Sequence, residues 1–186
     1  GEAMRKASDP NRAAQLAAQS PEMKVAAEGY RLVTPHIEYR DRTRMQIGER
    51  TFELINMKNV HSEADTAVWM PNERVLFAAS VALPQSINNI RPFVNIRDML
   101  AAMKMMKALN PEVVVPGHGS FGTTAIFDEN ERYYTLLLDR VAAMVRAGRT
   151  LDQIKQELKM PEYTGWSYQD RMPSNVEAAY RAAAAR

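Results

Sequence analysis

The sequence predicts a mixed α/β domain in which helices cover one face of a sheet. Three observations lead to this prediction. Two strand–turn–strand units, 44–57 and 66–82, come early in the chain. Two segments with apolar residues at helical spacing, 96–109 and 128–147, follow them. A short apolar strand at 112–115 lies between these two helices, as in a sheet with helices packed against it.

The two early units have the patterns of paired strands. In 44–57, apolar residues alternate with polar ones on both sides of a turn at Gly48-Glu49, which is typical of a β-hairpin. The second unit turns at 71–73, and the runs 67–70 and 75–78 beside this turn are apolar on both faces. Such runs indicate strands in the interior of a sheet.

The chain ends are predicted to be helical. We expect 1–186 to form a single unit, with residues 1–30 as a helical lead-in and residues 149–186 as a C-terminal helical extension. In that extension, Thr150 is followed three residues later by Gln153, which is the capping-box pattern of a helix start.

Composition limits the function classes. The chain has 186 residues and no cysteine, so disulfides and thiolate ligands are excluded and any metal must be held by His, Asp or Glu. A net charge of +2 with mixed signs does not favour nucleic-acid binding. No stretch approaches the roughly 20 apolar residues of a membrane span. We therefore expect a soluble protein without a nucleic-acid or membrane partner, in the cytoplasm or the periplasm.

His118 stands in a loop that directly follows a buried strand. The sequence PEVVVPGHGS (111–120) holds this histidine between Gly117 and Gly119. Loops after interior strands of α/β folds carry ligand sites, and flanking glycines let a ligand approach the backbone. In isolation, Gly-His-Gly is nevertheless more often a turn than a ligand site.

His61 occupies a second loop, immediately before a strand, in the sequence NVHSEADTAVWM. Asp65 follows it and is placed to accept a hydrogen bond from the imidazole or from loop amides. The third histidine, His36, has no evident partner in the sequence. Catalytic zinc takes about three protein ligands. From spacing alone, His61 and His118 are therefore at most half of a metal site.

Two segments together resemble a known family. VHSEADTAVWMPNERVLFAASVA (60–82), followed by NPEVVVPGHG (110–119), resembles the C-terminal half of metallo-β-lactamase-fold hydrolases. In that family a metal-binding histidine lies in a His-Thr-x-Gly-Asp type segment. A strand, a proline-containing turn and a second strand ending in Phe-Ala-Gly-Asp come next, and a Pro-Gly-His-Gly loop closes the site. The resemblance spans roughly residues 30–166.

The resemblance implies a fold and a set of site residues. The fold is one half of a four-layer αββα sandwich, a mixed sheet with helices on one face. His61 and His118 correspond to ligands of zinc, one for each of two metal positions, and Asp65 supports the first loop. Gly117 and Gly119 would let the His118 loop fold back against the metal.

Two departures from the family pattern bear on function. Ser80 stands where the family has the metal-ligand aspartate of Phe-Ala-Gly-Asp, which puts the second metal position in question. The family's His-x-His-x-Asp-His cluster is absent from the chain, so no catalytic residue is assigned here. The resemblance therefore implies a partner: an N-terminal half carrying that cluster, as a separate chain or a missing segment, or else a second copy in a homodimer.

Two functions remain open at this stage. One is a zinc-dependent hydrolase of a small-molecule substrate that uses a metal-activated water and for which this chain supplies the C-terminal half of the site. The other is a non-catalytic binding or assembly subunit that has lost the full metal site. The substrate is not fixed, since family members hydrolyse β-lactams, lactones, thioesters, phosphodiesters and sulfates. In the loop 83–93, Asn88, Asn89 and Arg91 are either contacts for a polar or anionic substrate or turn residues.

Overall fold

The structure is a computed structural model that describes residues 14–15, 18–28, 37–58, 60–61 and 65–184. The chain divides into two compact units, Gly1–Arg40 and Asp41–Arg186. In the first unit, helix α1 (Pro21–Glu28) begins after Ser20, whose hydroxyl accepts a hydrogen bond from the backbone N–H of Met23 at 3.2 Å. Most of the predicted helical lead-in 1–30 and all of His36 lie outside the described residues.

Five strands of the second unit form one mixed sheet in chain order: β1 (Arg42–Ile47), β2 (Arg50–Lys58), β3 (Asp65–Met70), β4 (Val75–Phe77) and β5 (Val113–Val115). The pairs β1–β2, β2–β3 and β3–β4 are antiparallel, and the pair β4–β5 is parallel. The hairpin turn predicted at Gly48-Glu49 is confirmed, because Ile47 pairs with Arg50 across it. The predicted mixed α/β class is also confirmed.

Four α-helices follow or separate these strands: α2 (Ile96–Ala108), α3 (Ala125–Arg146), α4 (Leu151–Glu157) and α5 (Met172–Ala184). The capping box predicted at the start of α4 is present, with reciprocal hydrogen bonds between Thr150 and Gln153. Single 3-10 turns lie at Pro161–Tyr163 and Gln169–Arg171. No helix in the described part of the chain is long and apolar enough to cross a membrane.

One face of the sheet packs against the helices and forms the core. The sheet residues of this core are each at most 6% exposed: Ile55, Met57, Ala67, Trp69, Leu76 and Val114. They share one cluster with residues of the two long helices: Met99, Met103 and Met106 of α2, and Phe127, Tyr134 and Leu137 of α3. Full burial of a side chain of this size contributes roughly 1.5–3 kcal/mol, so this cluster is the main source of stability.

The opposite face of the sheet is also apolar. Leu54 pairs with Val68, Val68 with Phe77, and Phe77 with Val115, so these four side chains lie on one face. They lie outside the helix-covered core and are only partly buried, and Phe77 is 41% exposed. A sheet with solvent on one face usually carries polar residues there. This sheet therefore has a second apolar face that its helices do not cover.

Asn130 of α3 joins the helix layer to the loop that follows β4. This side chain is fully buried. Its Nδ2 donates hydrogen bonds to the backbone carbonyls of Leu83 and Ile126, both at 2.9 Å, and its Oδ1 accepts one from the backbone N–H of Leu83 at 3.5 Å. One amide therefore satisfies both polar backbone groups of Leu83 and holds the start of the loop 83–93 in place.

We predict that Asn130→Leu lowers the free energy of unfolding by about 2 kcal/mol, because it leaves the N–H and C=O of the buried Leu83 without partners. Urea unfolding of the variant and the wild type would measure this difference. The matched control is Asn72→Leu, at an exposed turn position, which should change stability by no more than about 0.5 kcal/mol. Equal losses in the two variants would contradict the proposed role of Asn130.

Candidate metal centre

The loops after β4 and β5 lie side by side at one edge of the sheet. Because the two strands are parallel, the segments that follow them leave the sheet at the same end. Their pairing continues beyond β4: the backbone N–H of Ala78 donates to the carbonyl of Val115 at 2.8 Å, and that of Gly117 donates to the carbonyl of Ala79 at 2.6 Å. The segment with Ser80 and the segment with His118 are therefore held together by backbone hydrogen bonds.

The structure explains why both residues beside His118 are glycines. A Cβ added to Gly117 would lie 2.7 Å from Ser80 Oγ and 3.1 Å from the carbonyl carbon and oxygen of Ala79. Gly119 has a φ of +83°, and a Cβ there would lie 2.8 Å from Cγ of Pro84. A side chain at either position would push the His118 loop away from the loop that follows β4.

The residue before Ser80 adopts a backbone conformation that favours glycine. Ala79 has a φ of 47°, in the left-handed region, where alanine is strained by roughly 1–2 kcal/mol. This is the position at which the Phe-Ala-Gly-Asp pattern has its glycine, so the backbone fits that pattern although the side chain differs. Ser80 itself is fixed through its carbonyl, which accepts a hydrogen bond from Nδ2 of the buried Asn88.

His61 lies half-buried in the connection between β2 and β3. Its backbone N–H donates a hydrogen bond to the carboxylate of Asp65, the first residue of β3. The sequence predicted that Asp65 accepts a hydrogen bond either from the imidazole or from loop amides, and this contact is with a loop amide. Within the described part of the chain, the ring Nδ1 of His61 is buried and has no hydrogen-bond partner.

The electrostatic environment of His61 favours the neutral form of its imidazole. Burial lowers its pKa from the usual value of 6.5, and the positive charge of Arg91 adds to this effect. The charge of Asp65 opposes it, and His118 and Arg171 lower the pKa further. Because β3 is antiparallel to β4, the His61 loop that precedes β3 lies at the same end of the sheet as the loops that follow β4 and β5. A neutral imidazole is the form that binds a metal ion.

The described side chains provide only some of the ligands that a metal ion needs. A buried ring nitrogen without a partner is costly, and a metal ion at His61 would satisfy it. Two imidazoles also suit zinc. Among the described residues, however, no group of three or more His, Asp or Glu side chains lies close enough to hold an ion. Donors beyond the described residues would be needed to complete the site.

Sequence reasoning missed the contribution of the C-terminal segment 167–171. Ser167 donates its backbone N–H to the carbonyl of Gln85 and accepts from the N–H of Ile87, both at 3.0 Å. Nη1 of Arg171 donates to the carbonyl of Ile87 at 3.3 Å. The segment is therefore tied to the loop 83–93. Nothing local in the sequence signals these contacts, because about 80 residues separate the partners.

The polar residues of the loop 83–93 and two aromatic residues of the C-terminal segment have different environments. Asn88 is buried and its Oδ1 accepts from the backbone N–H of Asn89 at 2.8 Å, so it stabilises its own loop, whereas Arg91 is exposed. Tyr163 and Trp166 pack against the buried Tyr133 at ring-centroid distances of 5.0 and 5.4 Å. These two aromatic residues of the tail thus belong to the packing of the domain.

Comparison with known proteins identifies the fold. No family model matches the chain, and no curated protein matches it. The structure is similar to that of the stereoselective inverting sec-alkylsulfatase Pisa1 from Pseudomonas sp., with a TM-score of 0.67 and 18% identity over 81% of this chain and 27% of that chain. It is also similar to a metallo-β-lactamase family protein from Thermus thermophilus, with a TM-score of 0.53 and 14% identity over 73% of this chain and 50% of that one.

The chain has part of the metallo-β-lactamase fold. The resemblance seen in the sequence is thereby confirmed at the level of the fold. The chain spans about a quarter of the alkylsulfatase and half of the Thermus protein, so it accounts for only a portion of either structure. Within that portion, His61, Ser80 and His118 lie in loops at the same end of the sheet, and the Ser80 and His118 loops are in contact.

We predict that Gly117→Ala lowers the free energy of unfolding by about 1–3 kcal/mol, because the new Cβ meets the backbone of Ala79 and overpacks the junction of the two loops. Urea unfolding provides the measurement. The control is Gly165→Ala, at a position where an added Cβ meets no atom within 4 Å. If Gly117→Ala is as stable as this control, the close approach of the loops does not exist.

Proposed function

We propose that this chain supplies part of the active site of a zinc-dependent hydrolase, with His61 and His118 as metal ligands. The observation that carries the proposal is the buried Nδ1 of His61, which has no hydrogen-bond partner among the described residues and lies in a loop at the same end of the sheet as the glycine-flanked His118, in a chain with part of the metallo-β-lactamase fold. A zinc ion bound there would lower the pKa of a bound water towards about 7 and supply the nucleophile for hydrolysis.

The chain's own residues prepare the two imidazoles for this role. Asp65 fixes the His61 loop through a backbone hydrogen bond, and burial lowers the pKa of the imidazole, which favours its neutral form. Gly117 and Gly119 allow the His118 loop to lie against the loop that follows β4. Under this proposal, the fixed backbone of the two loops reduces the entropic cost of assembling the site.

Ser80 favours a site with one firmly bound metal ion. Its hydroxyl stands next to Gly117, at the position where the family has a metal-ligand aspartate. Zinc and other divalent cations bind a carboxylate much more strongly than a neutral hydroxyl. We infer that the second metal position is weak or lost in this protein.

The uncovered sheet face supports a partner in this proposal. The face that carries Leu54, Val68, Phe77 and Val115 is apolar and partly exposed, and large exposed apolar patches mark interaction surfaces. We propose that the complementary half of the αββα sandwich packs here and brings the His-x-His-x-Asp-His cluster to the metal. That half is either a separate chain or another segment of the same protein.

The decisive experiment is native mass spectrometry of the protein expressed from its complete natural locus. A complex that contains this chain, a histidine-rich companion or segment, and bound zinc is the expected result. A metal-free homodimer would favour the second candidate function, a binding or assembly subunit. That alternative is supported by Ser80 and by the absence of a three-donor group among the described residues.

We predict that His61→Ala and His118→Ala each lower the zinc content of the assembled protein and its hydrolytic rate by about tenfold or more, because each removes a direct ligand. Metal analysis after dialysis and turnover assays would measure the two effects. His36→Ala is the matched control, since His36 is the third histidine of the chain and has no assigned role. Unchanged zinc content in both site variants would show that the ligand assignment is wrong.

We further predict that Ser80→Asp raises the zinc stoichiometry of the assembled protein from about one ion towards two, because it restores a carboxylate at the second position. Metal analysis and native mass spectrometry both report this number. The control is Ser80→Asn, because asparagine has nearly the same size as aspartate but no negative charge. This variant should leave the zinc stoichiometry unchanged. A Ser80→Asp protein with unaltered stoichiometry would refute the correspondence of Ser80 with the family aspartate.

A further inference from the structure

A cavity of about 360 Å³ lies between the helices α2, α3 and α5. All of the described residues that line it belong to these three helices, so it is separate from the loops of the candidate metal centre. Ligand pockets of proteins usually have volumes of about 300–1,000 Å³. The cavity in the helix layer therefore has the size to hold a small molecule.

Much of the cavity wall is apolar. Leu100 of α2 and three residues of α3, Leu138, Ala142 and Val145, line it. The α3 residues follow one another at intervals of four and three positions, which places them on one face of the helix. All four residues are only half-buried, although the two leucines and Val145 pack against the core. An apolar group in the cavity would cover the surface that they leave to water, which is favourable.

The antiparallel packing of α2 and α3 brings the start of one helix beside the end of the other. Lys107, in the last turn of α2, forms ion pairs with Asp128 and Glu131 in the first turns of α3, at 2.5 and 2.8 Å. At the opposite end of this helix pair, Arg97 in the first turn of α2 and Arg146, the last residue of α3, both line the cavity.

The two arginines give the cavity a net positive charge. Asp139 is the one carboxylate among the described lining residues. Within the described part of the chain, Arg97, Arg146 and Asp139 form no ion pair, in contrast to Lys107. The planar donor fork of a guanidinium group matches the oxygen atoms of carboxylate and sulfate groups. The charges of the cavity therefore favour an anion.

We propose that this cavity binds an amphipathic anion, a small molecule with an apolar body and one carboxylate or sulfate group. The apolar body contacts Leu100, Leu138 and Val145, and the anionic group is bound by Arg97 and Arg146. An uncharged apolar molecule would use only the wall, and an inorganic anion would use only the arginines. The proposal is independent of the hydrolase function, because the cavity shares no residue with the candidate metal centre.

The test is isothermal titration of the assembled protein with octanoate at low ionic strength, where charge interactions are least screened. We expect saturable binding of octanoate. Acetate, which lacks the apolar body, and 1-octanol, which lacks the charge, should each bind at least about tenfold more weakly. An affinity for 1-octanol equal to that for octanoate would overturn the proposal, because the arginines would then contribute nothing.

Variants of the two arginines test the charged part of the site. Arg97→Gln and Arg146→Gln should each weaken octanoate binding about tenfold, because each removes charged hydrogen-bond donors. The matched control is Arg50→Gln, at an exposed arginine that begins β2, and it should bind as the wild type does. Both cavity arginines are exposed, so their replacement should leave the thermal midpoint unchanged. Octanoate affinities that are equal in all three variants would refute the site.

A second measurement locates the bound octanoate. In methyl NMR spectra of the assembled protein, the signals of Leu138 and Val145 should shift on titration, whereas those of Leu54 and Val68 on the uncovered sheet face should not. Shifts confined to Leu54 and Val68 would show that octanoate binds the sheet face and would overturn the proposal.

Filling the cavity provides a steric test. Ala142→Trp places an indole ring in the cavity and should abolish octanoate binding, whereas Ala147→Trp, at an exposed position just beyond α3, should not. Octanoate binding that persists unchanged in a folded Ala142→Trp protein would show that the ligand lies elsewhere.

Discussion

The candidate site depends on the parallel pairing of β4 with β5. This pairing makes two loops leave the sheet at the same edge, and it continues beyond the strands through the hydrogen bond from Gly117 to Ala79. An antiparallel arrangement would send one of these loops to the opposite edge. The close contact between Gly117 and Ser80, and with it the position of the His118 loop, follows from this single feature of the sheet.

A series of hydrogen bonds then fixes the remaining loops relative to this edge. Asn130 holds Leu83 to α3, Asn88 binds Ser80, and Arg171 binds Ile87. The first contact connects the loop 83–93 to a helix of the core, and the other two connect this loop to the segment after β4 and to the C-terminal segment. Loops without regular structure can position functional groups accurately only when their polar backbone groups are satisfied in this way. The helix layer thus serves the site as well as stability.

Two features of the domain are incomplete, and they have a common explanation. Its sheet has a second apolar face that the helices leave uncovered, and the described part of its candidate metal centre has two imidazoles but no three-donor group. One complementary layer would satisfy both, because it would bury the apolar face and add metal ligands at the same edge.

The sequence by itself determined the mixed α/β class, the hairpin turn at Gly48-Glu49 and the placement of His61 and His118 in loops beside strands. These features depend on neighbours in the chain: residue alternation, turn chemistry and glycines whose backbone angles are local properties. Only the tertiary structure decided which face of β2 meets the helices, because both faces of that strand carry apolar residues. It alone brought Arg171 to Ile87, since a hydrogen bond between residues 84 positions apart depends on how the C-terminal segment packs and leaves no pattern in either local sequence.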